Sequence, residues 1–303
     1  MYFIGVTTGQ SSIMRLFPEW VTILGLGDAE LVGVDLPIHA DRDRYRRAVT
    51  EIKDDPLSLG ALVTTHKVDL LEATRDLFED LDRYAVVCNE VSNIAKRDGR
   101  LVGFAKDPIT AGRTLGEMLE PGYWDRTDAQ VVCIGAGGTT AAIAAYLLTR
   151  PDRRDRPRRF IAVNRSTRGL ENLRAVVEQV DSEVDVEYVL NEDPRRNDAL
   201  LEDLPPGSLV VNATGMGKDR PGSPLTDRAA FPLRGIAWEL NYRGELAFLR
   251  LARSQEEARD LQVHDGWRYF VHSWVEHVAE VFELEIAPEL FTKLADAAET
   301  VRT

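Results

Sequence analysis

The stretch that most constrains this chain is VVCIGAGGTTAAIAAYLL, Val131 to Leu148. Four apolar residues, Val131 to Ile134, read as a short buried strand. Gly135, Gly137 and Gly138 follow, and then an apolar run of helical length. A strand, a glycine turn and a helix in this order bring backbone N–H groups and a helix N-terminus against a diphosphate. Glycine is required because a Cβ would block the turn or the approach of the phosphate. The first two glycines fit the G-x-G-x-x-G/A frame, with Thr140 at its last position. Glycine turns between strand and helix also occur without nucleotides, so the surrounding chain decides.

That chain alternates strand and helix patterns, which predicts an α/β fold. Its 303 residues exceed the usual single core and predict two domains. Strands are expected at Tyr2–Val6, Leu31–Leu36, Leu59–Thr64, Val86–Ala95 and Leu101–Ala105, the last two joined by Arg97, Asp98 and Gly99. Helices are expected at Ile13–Leu24, Arg42–Lys53 and Asp69–Glu79. These form a first α/β domain over residues 1–108, with the third strand ending at Thr65, His66 and Lys67. A helix opening at Pro108 links the domains over residues 109–127, since proline costs nothing at a helix start. A dinucleotide-binding domain is expected over 128–245, with Ile236–Leu240 as its last strand. Helices over 246–303 complete the chain by returning to the first domain.

At the end of the second strand of such a fold an NAD site usually carries a carboxylate for the ribose hydroxyls. Here Asn164, Arg165 and Ser166 occupy that place, with Arg168 close by. A guanidinium can grip a 2′-phosphate through paired hydrogen bonds, which favours NADP over NAD. An ordinary loop arginine is the alternative for Arg165.

The formal charge of −13 argues against nucleic-acid and anionic-membrane partners. Two cysteines, Cys88 and Cys133, exclude a disulfide framework, and MYFIGVTTGQ lacks the basic start and apolar core of a signal peptide. A cytoplasmic protein is therefore expected. His264, His272 and His277 make no zinc-ligand pattern, so no metal is expected. No G-x-S-x-G elbow or Walker loop is present, which removes serine-hydrolase and P-loop kinase readings.

These motifs, in this order, resemble the shikimate dehydrogenase family over nearly the whole chain. GAGGTTAA, from Gly135, Ala136, Gly137, Gly138 and Thr139 onward, is similar to that family's phosphate turn. NRS at Asn164 is similar to its NADP clamp. NATGMG, with Asn212, Ala213, Thr214, Met216 and Gly217, resembles the loop that passes near the nicotinamide. THK ending at Lys67 and GRLVGFAKD ending at Asp107 resemble its catalytic segments, although the family usually has proline at Thr65. The resemblance implies an NADP-linked alcohol/ketone reaction, with a Lys67–Asp107 pair in a cleft between two domains. In that role Lys67 moves the proton and Asp107 orients it. Read from the residues alone, Lys67 is as well explained as a surface lysine, and Asp107 as the N-cap of the linking helix.

The departures fall on the substrate side. Where the family carries two serines one residue apart, this chain has Ser11 and Ile13, with Ser12 between. Ser92, beside Asn93, and Ala105 stand where the family has asparagines. Thr64 and Tyr242 are kept as candidate substrate contacts, and Ser273 replaces a glutamine of the late helix. His66, Lys106 and His272 are left open as substrate contacts. A site built to hydrogen-bond hydroxyls loses heavily when its partners change. The expected substrate is therefore a small, cyclic hydroxy or keto acid other than shikimate. Alternatives are a genuine shikimate or quinate dehydrogenase with a rearranged carboxylate clamp, a non-catalytic NADP-binding regulator, and a folate-type methylene dehydrogenase of the same layout. A homodimer is left open.

Overall fold

Short apolar runs alternating with amphipathic helices build two six-stranded sheets in this computed structural model, which describes residues 1–217 and 221–302. Each sheet belongs to its own unit, one of Met1–Asp107 with Val271–Thr303 and one of Pro108–Phe270.

The first unit begins with β1 (Tyr2–Gly5), a 3-10 turn at Thr8–Gln10, α1 (Ile13–Leu24), β2 (Val32–Asp35), α2 (Arg42–Asp54) and β3 (Gly60–Val63). It continues through α3 (Lys67–Thr74), β4 (Asp80–Leu81), α4 (Arg83–Cys88), β5 (Asn93–Arg97) and β6 (Arg100–Phe104). The sheet order is β2-β1-β3-β5-β6-β4. β1 pairs in parallel with β2 and β3, whereas β5 is antiparallel to both β3 and β6. One face is a core of fully buried residues that includes Ile4, Val49, Ile52, Leu70 and Ile94.

The second unit runs through α5 (Asp107–Met118), α6 (Tyr123–Thr127), β7 (Val131–Ile134), α7 (Gly138–Leu148), β8 (Arg159–Asn164) and α8 (Thr167–Val177). It continues with β9 (Asp185–Leu190), α9 (Pro194–Glu202), β10 (Leu209–Asn212), β11 (Ile236–Glu239), α10 (Ala247–Ser254), α11 (Glu256–Arg259) and β12 (Gln262–His264). Its order, β12-β11-β10-β7-β8-β9, is parallel throughout. This is the doubly wound dinucleotide-fold order, whose direction switches between β7 and β10. β7 and β10 are buried at every residue, as strands covered on both faces must be.

The chain ends with α12 (Trp267–Phe282) and α13 (Pro288–Glu299). In the first unit the Trp274 ring meets Phe3 edge-on at 4.9 Å, and the Trp20 indole N–H donates to the Leu294 carbonyl at 2.9 Å.

Four expectations are corrected. Val86–Cys88 belongs to α4, not to a strand: the Asp82 carboxylate caps that helix by accepting from the Ala85 N–H at 2.7 Å, and Asn89 at φ +48° ends it. Local capping here outweighs the strand preference of paired valines. Lys67 does not end a strand but opens α3, because Thr65 at φ +65° turns the chain after β3; that helix ends at Thr74 rather than Glu79. β11 is not the last strand of its sheet, since the three residues of β12 add an edge. Finally, residues 246–270 lie in the second unit, so only the chain from Val271 belongs to the first.

Candidate active site

In the second unit the glycine turn forms between β7 and α7. Gly135 has φ +106°, and a Cβ there would stand 2.5 Å from the Ala213 carbonyl oxygen. Its N–H donates to Val163 O at 2.7 Å and its carbonyl accepts from the Thr140 hydroxyl at 2.5 Å. The third frame position therefore fastens the turn through a hydroxyl. Gly137, the N-cap of α7, has nothing within 4 Å of its missing Cβ and leaves the helix N-terminus open.

This turn lines a cavity of about 550 Å³. Gly135, Ala136 and Gly137 form one wall, Asn164, Arg165 and Ser166 a second, and Ala213, Thr214 and Met216 a third. Gly138, Thr139, Asn212 and Gly217 do not line it. The Asn164 amide donates to Ser166 at 3.1 Å, which shapes the clamp, while Arg165 and Arg168 are exposed and make no ion pair among the described residues. Gly169 went unread in the sequence: a Cβ there would meet the Asn164 amide nitrogen at 2.2 Å. Glu192, Asn197 and Pro224 are among the other lining residues, and nothing in their local sequence marked them.

Asn212 acts behind the wall. Its amide donates to Glu239 at 2.7 Å and its oxygen accepts from the Thr214 hydroxyl at 2.7 Å. Glu239, fully buried, also accepts from the Asn241 N–H at 2.9 Å and side-chain amide at 2.7 Å, and that amide donates to Met216 O at 3.0 Å. Burial pushes the Glu239 carboxyl up to about 7 against these donors. The network sets the path of the loop after β10. Lys218, Asp219 and Arg220 of that loop lie outside the described residues.

In the first unit Lys67 and Asp107 form an ion pair. Lys67 is the first residue of α3 and Asp107 the first of α5. The approach to Asp107 is fixed on both preceding residues: the Ala105 N–H donates to Asp82 at 3.0 Å and the Lys106 N–H to the Ser92 hydroxyl at 2.7 Å. Burial pulls the Lys67 ammonium toward neutrality, but the Asp107 and Glu90 charges outweigh it and leave its pKa above the ordinary lysine value. Lys67 thus rests as a charged acid.

The substrate-side candidates are only partly brought together. Thr64 follows β3, three residues before Lys67. Ser11 and Ser12 lead into α1, and neither hydroxyl is engaged among the described residues. Ile13 is fully buried. Ser92 and Asn93 are fully buried and bound internally, the Ser92 hydroxyl accepting from Lys106 and the Asn93 amide donating to His277 O at 3.1 Å. Asn93 opens β5 in the β3–β5–β6 ladder, with Ser92 just before it, and the Asn93 Oδ1 is buried without a hydrogen-bond partner among the described residues. Ser273 is half-buried, and its carbonyl is bonded to the His277 ring. Tyr242 lies in the second unit against Trp267 and Phe270, at 5.3 and 5.0 Å between ring centres.

Of the residues left open, His66 is buried with its Nδ1 3.0 Å from the Tyr45 hydroxyl and its Nε2 without a partner among the described residues. The Lys106 ammonium is paired with Glu280 and lies over the Phe104 ring. His272 stacks on Phe291 at 4.3 Å. Among the described residues no helix is long and apolar enough to cross a membrane, and no group of His, Cys, Asp and Glu could hold a metal ion.

No protein-family model matches the chain. It is 26% identical to the shikimate dehydrogenase (NADP(+)) of Streptococcus thermophilus over 59% of this chain and 58% of that protein. It is 28% identical to the shikimate dehydrogenase (NADP(+)) of Caulobacter vibrioides over 78% of this chain and 74% of that protein. The match thus spans somewhat less than two thirds of the Streptococcus relative's length. Among solved structures, quinate dehydrogenase from Corynebacterium glutamicum in complex with NAD superposes with a TM-score of 0.75 at 20% identity, covering 99% of this chain and 98% of that one. The chain is thus similar in sequence to curated shikimate dehydrogenases and shares the fold of a solved quinate dehydrogenase.

Proposed function

We propose that the protein is an NADP-dependent oxidoreductase that transfers a hydride between NADP(H) and a small hydroxy or keto acid, with Lys67 as proton donor and Asp107 as its orienting counter-charge. The observation that carries this reading is the Lys67–Asp107 ion pair, with each partner on the first residue of a helix and the chain before Asp107 anchored twice.

The residues present fit the cofactor. Gly137 leaves the space that a diphosphate needs at the N-terminus of α7, Gly135 lets the turn close against the Ala213 backbone, and the adjoining cavity admits a nucleotide. When bound, NADP supplies the hydride for reduction or accepts it in oxidation. Arg165, exposed and free of carboxylate partners among the described residues, is available to a 2′-phosphate. Relatives named as NADP(+) enzymes support this preference. In reduction the Lys67 ammonium gives its proton to the forming alkoxide, and Asp107 holds the ammonium in place until then. In oxidation the neutral amine takes the proton from the hydroxyl.

For the substrate we propose a cyclic hydroxy or keto acid other than shikimate. Support comes from Ile13 and Ala105, two fully buried apolar side chains at positions where the resembled family carries hydrogen-bonding groups, and from Ser92, whose hydroxyl is used internally. The relatives' name favours shikimate itself as a second reading. Initial rates with shikimate, quinate and a panel of cyclic keto acids, against NADPH and NADH, decide between them. Saturable shikimate oxidation with NADP(+) establishes the second reading. Turnover of another acid with no shikimate activity establishes the first, and no NADP(H)-linked turnover of any acid removes both.

A further inference from the structure

One buried carboxyl in the first unit has no part in the reaction described above. Glu90 follows Asn89, the left-handed residue that closes α4, and is only 4% exposed. Its Oε1 is buried with no hydrogen-bond partner. The backbone beside it runs along the Lys67 segment, where the Val91 N–H donates to the Lys67 carbonyl at 3.2 Å. Its charge acts on Lys67, on Asp107 and on the Cys88 thiol. The site therefore holds two carboxyls around one ammonium. Fully ionised, it would keep a net negative charge where water scarcely reaches, with one carboxylate oxygen unpaired. A neutral acid suits that position far better.

We propose that Glu90 is a positioning residue for Lys67: it holds a proton in the resting site, and its own charge state sets how readily Lys67 releases a proton. This rests on Lys67 being the proton donor of the reaction above. With Glu90 neutral, Asp107 is the only counter-charge and the ammonium can give up its proton. With Glu90 ionised, a second negative charge ties the proton to Lys67, and reduction slows.

Burial raises Glu90 to about 7, with Lys67 opposing and Asp107 adding to the shift, so the changeover falls near neutral pH. The groups facing this cluster are Lys67 from α3, Asp107 from α5, Cys88 from α4 and His277 from α12, with Asp82 acting on Cys88 and Lys106 on His277. Burial keeps His277 neutral, with a pKa of about 4, and raises the Cys88 thiol, so neither changes charge near pH 7.

The test uses the protein without cofactor or substrate. Lysine Nζ resonances of isotope-labelled wild type and Glu90→Gln are followed against pH, with the Lys67 signal assigned by its loss in Lys67→Met. Circular dichroism at each pH marks the folded range. Removing the Glu90 charge is expected to lower the Lys67 midpoint by about one unit or more. Equal midpoints in the two proteins overturn the proposal.

Infrared difference spectra supply the reciprocal measurement. Wild type minus Glu90→Gln at pH 6 is expected to show the C=O stretch of a protonated carboxylic acid, which fades as the pH rises. In Lys67→Met, referred to its own Glu90→Gln derivative, the band is expected to persist to higher pH. Absence of the band at pH 6, or the same fading in both backgrounds, overturns the proposal. This measurement decides alone if a protein unfolds before Lys67 titrates. Neither experiment depends on turnover, so a failure of the dehydrogenase reading is seen separately.

Discussion

The Lys67 ammonium is held by the Asp107 carboxylate across 40 residues of sequence, and both residues open helices. A helix start exposes N–H groups that favour the carboxylate of Asp107. The same feature disfavours a cation at Lys67, so the ammonium there depends on its acidic neighbours.

Asp107→Asn removes one of those neighbours while keeping the side chain's shape. Turnover is expected to fall by about 10²–10⁴-fold, the usual contribution of a positioned proton donor. NADPH affinity, measured by fluorescence titration, is expected to stay unchanged. Turnover close to wild type would show that the ion pair serves only the fold.

The two glycines of the turn separate folding from cofactor binding. Gly135→Ala sets a methyl 2.5 Å from the Ala213 carbonyl oxygen at a left-handed φ, and is expected to cost about 1–3 kcal/mol in denaturant unfolding. Gly137→Ala meets no neighbour within 4 Å and is expected to keep wild-type stability. It should nevertheless weaken NADPH binding, because the methyl stands where the phosphate approaches.

Arg165→Gln tests the choice of cofactor. A charge-assisted contact to phosphate is worth about 1.5–3 kcal/mol, so KM for NADPH is expected to rise about 10-fold or more. KM for NADH should stay where it was, since NADH has no 2′-phosphate. An equal rise for both cofactors would assign Arg165 a general rather than a phosphate-specific role.

His277→Gln is a test of pH-dependent stability. Burial lowers the folded His277 pKa to about 4 from an ordinary 6.5, so between these values the unfolded chain binds the extra proton. This residue therefore adds stability as pH rises through that window and loses it, about 3 kcal/mol in all, as pH falls from about 6.5 to 4. Glu90 and Glu239, both raised to about 7 by burial, act with the opposite sign: their contribution falls as pH rises from about 4.5 to 7. The informative quantity is the difference between the two proteins. Unfolding free energies measured from pH 4 to 6.5 should rise less steeply in His277→Gln than in wild type, by about one proton's slope.

Much of the second unit was legible because its signals are local. Val131–Ile134 is an uninterrupted apolar run, Gly135 sits at a φ that L side chains rarely adopt, and Asn164 ends a strand with Arg165 directly after it. The first unit was read less well where tertiary context decides. Val86 and Val87 look like strand residues, yet one carboxylate at Asp82 makes them helix. β12 is three residues long, too short for any periodicity to show. Glu90 and Glu239 went unread because glutamate is ordinarily a solvated residue, and only their placement beside β5 and on β11 reveals them as buried. Ser92 and Asn93 could be counted as polar groups in the sequence, but not as groups already bonded within the fold.

The central claim is that Lys67 moves the proton in an NADP-linked redox reaction, and Lys67→Ala tests it most directly. Its initial rate of NADPH oxidation is measured beside wild type with the best acid from the substrate panel, and NADPH binding is titrated on the same preparation. The expected result is a loss of at least about 10²-fold in turnover with NADPH affinity retained. Turnover within a few-fold of wild type, in a folded protein that still binds NADPH, would contradict the account.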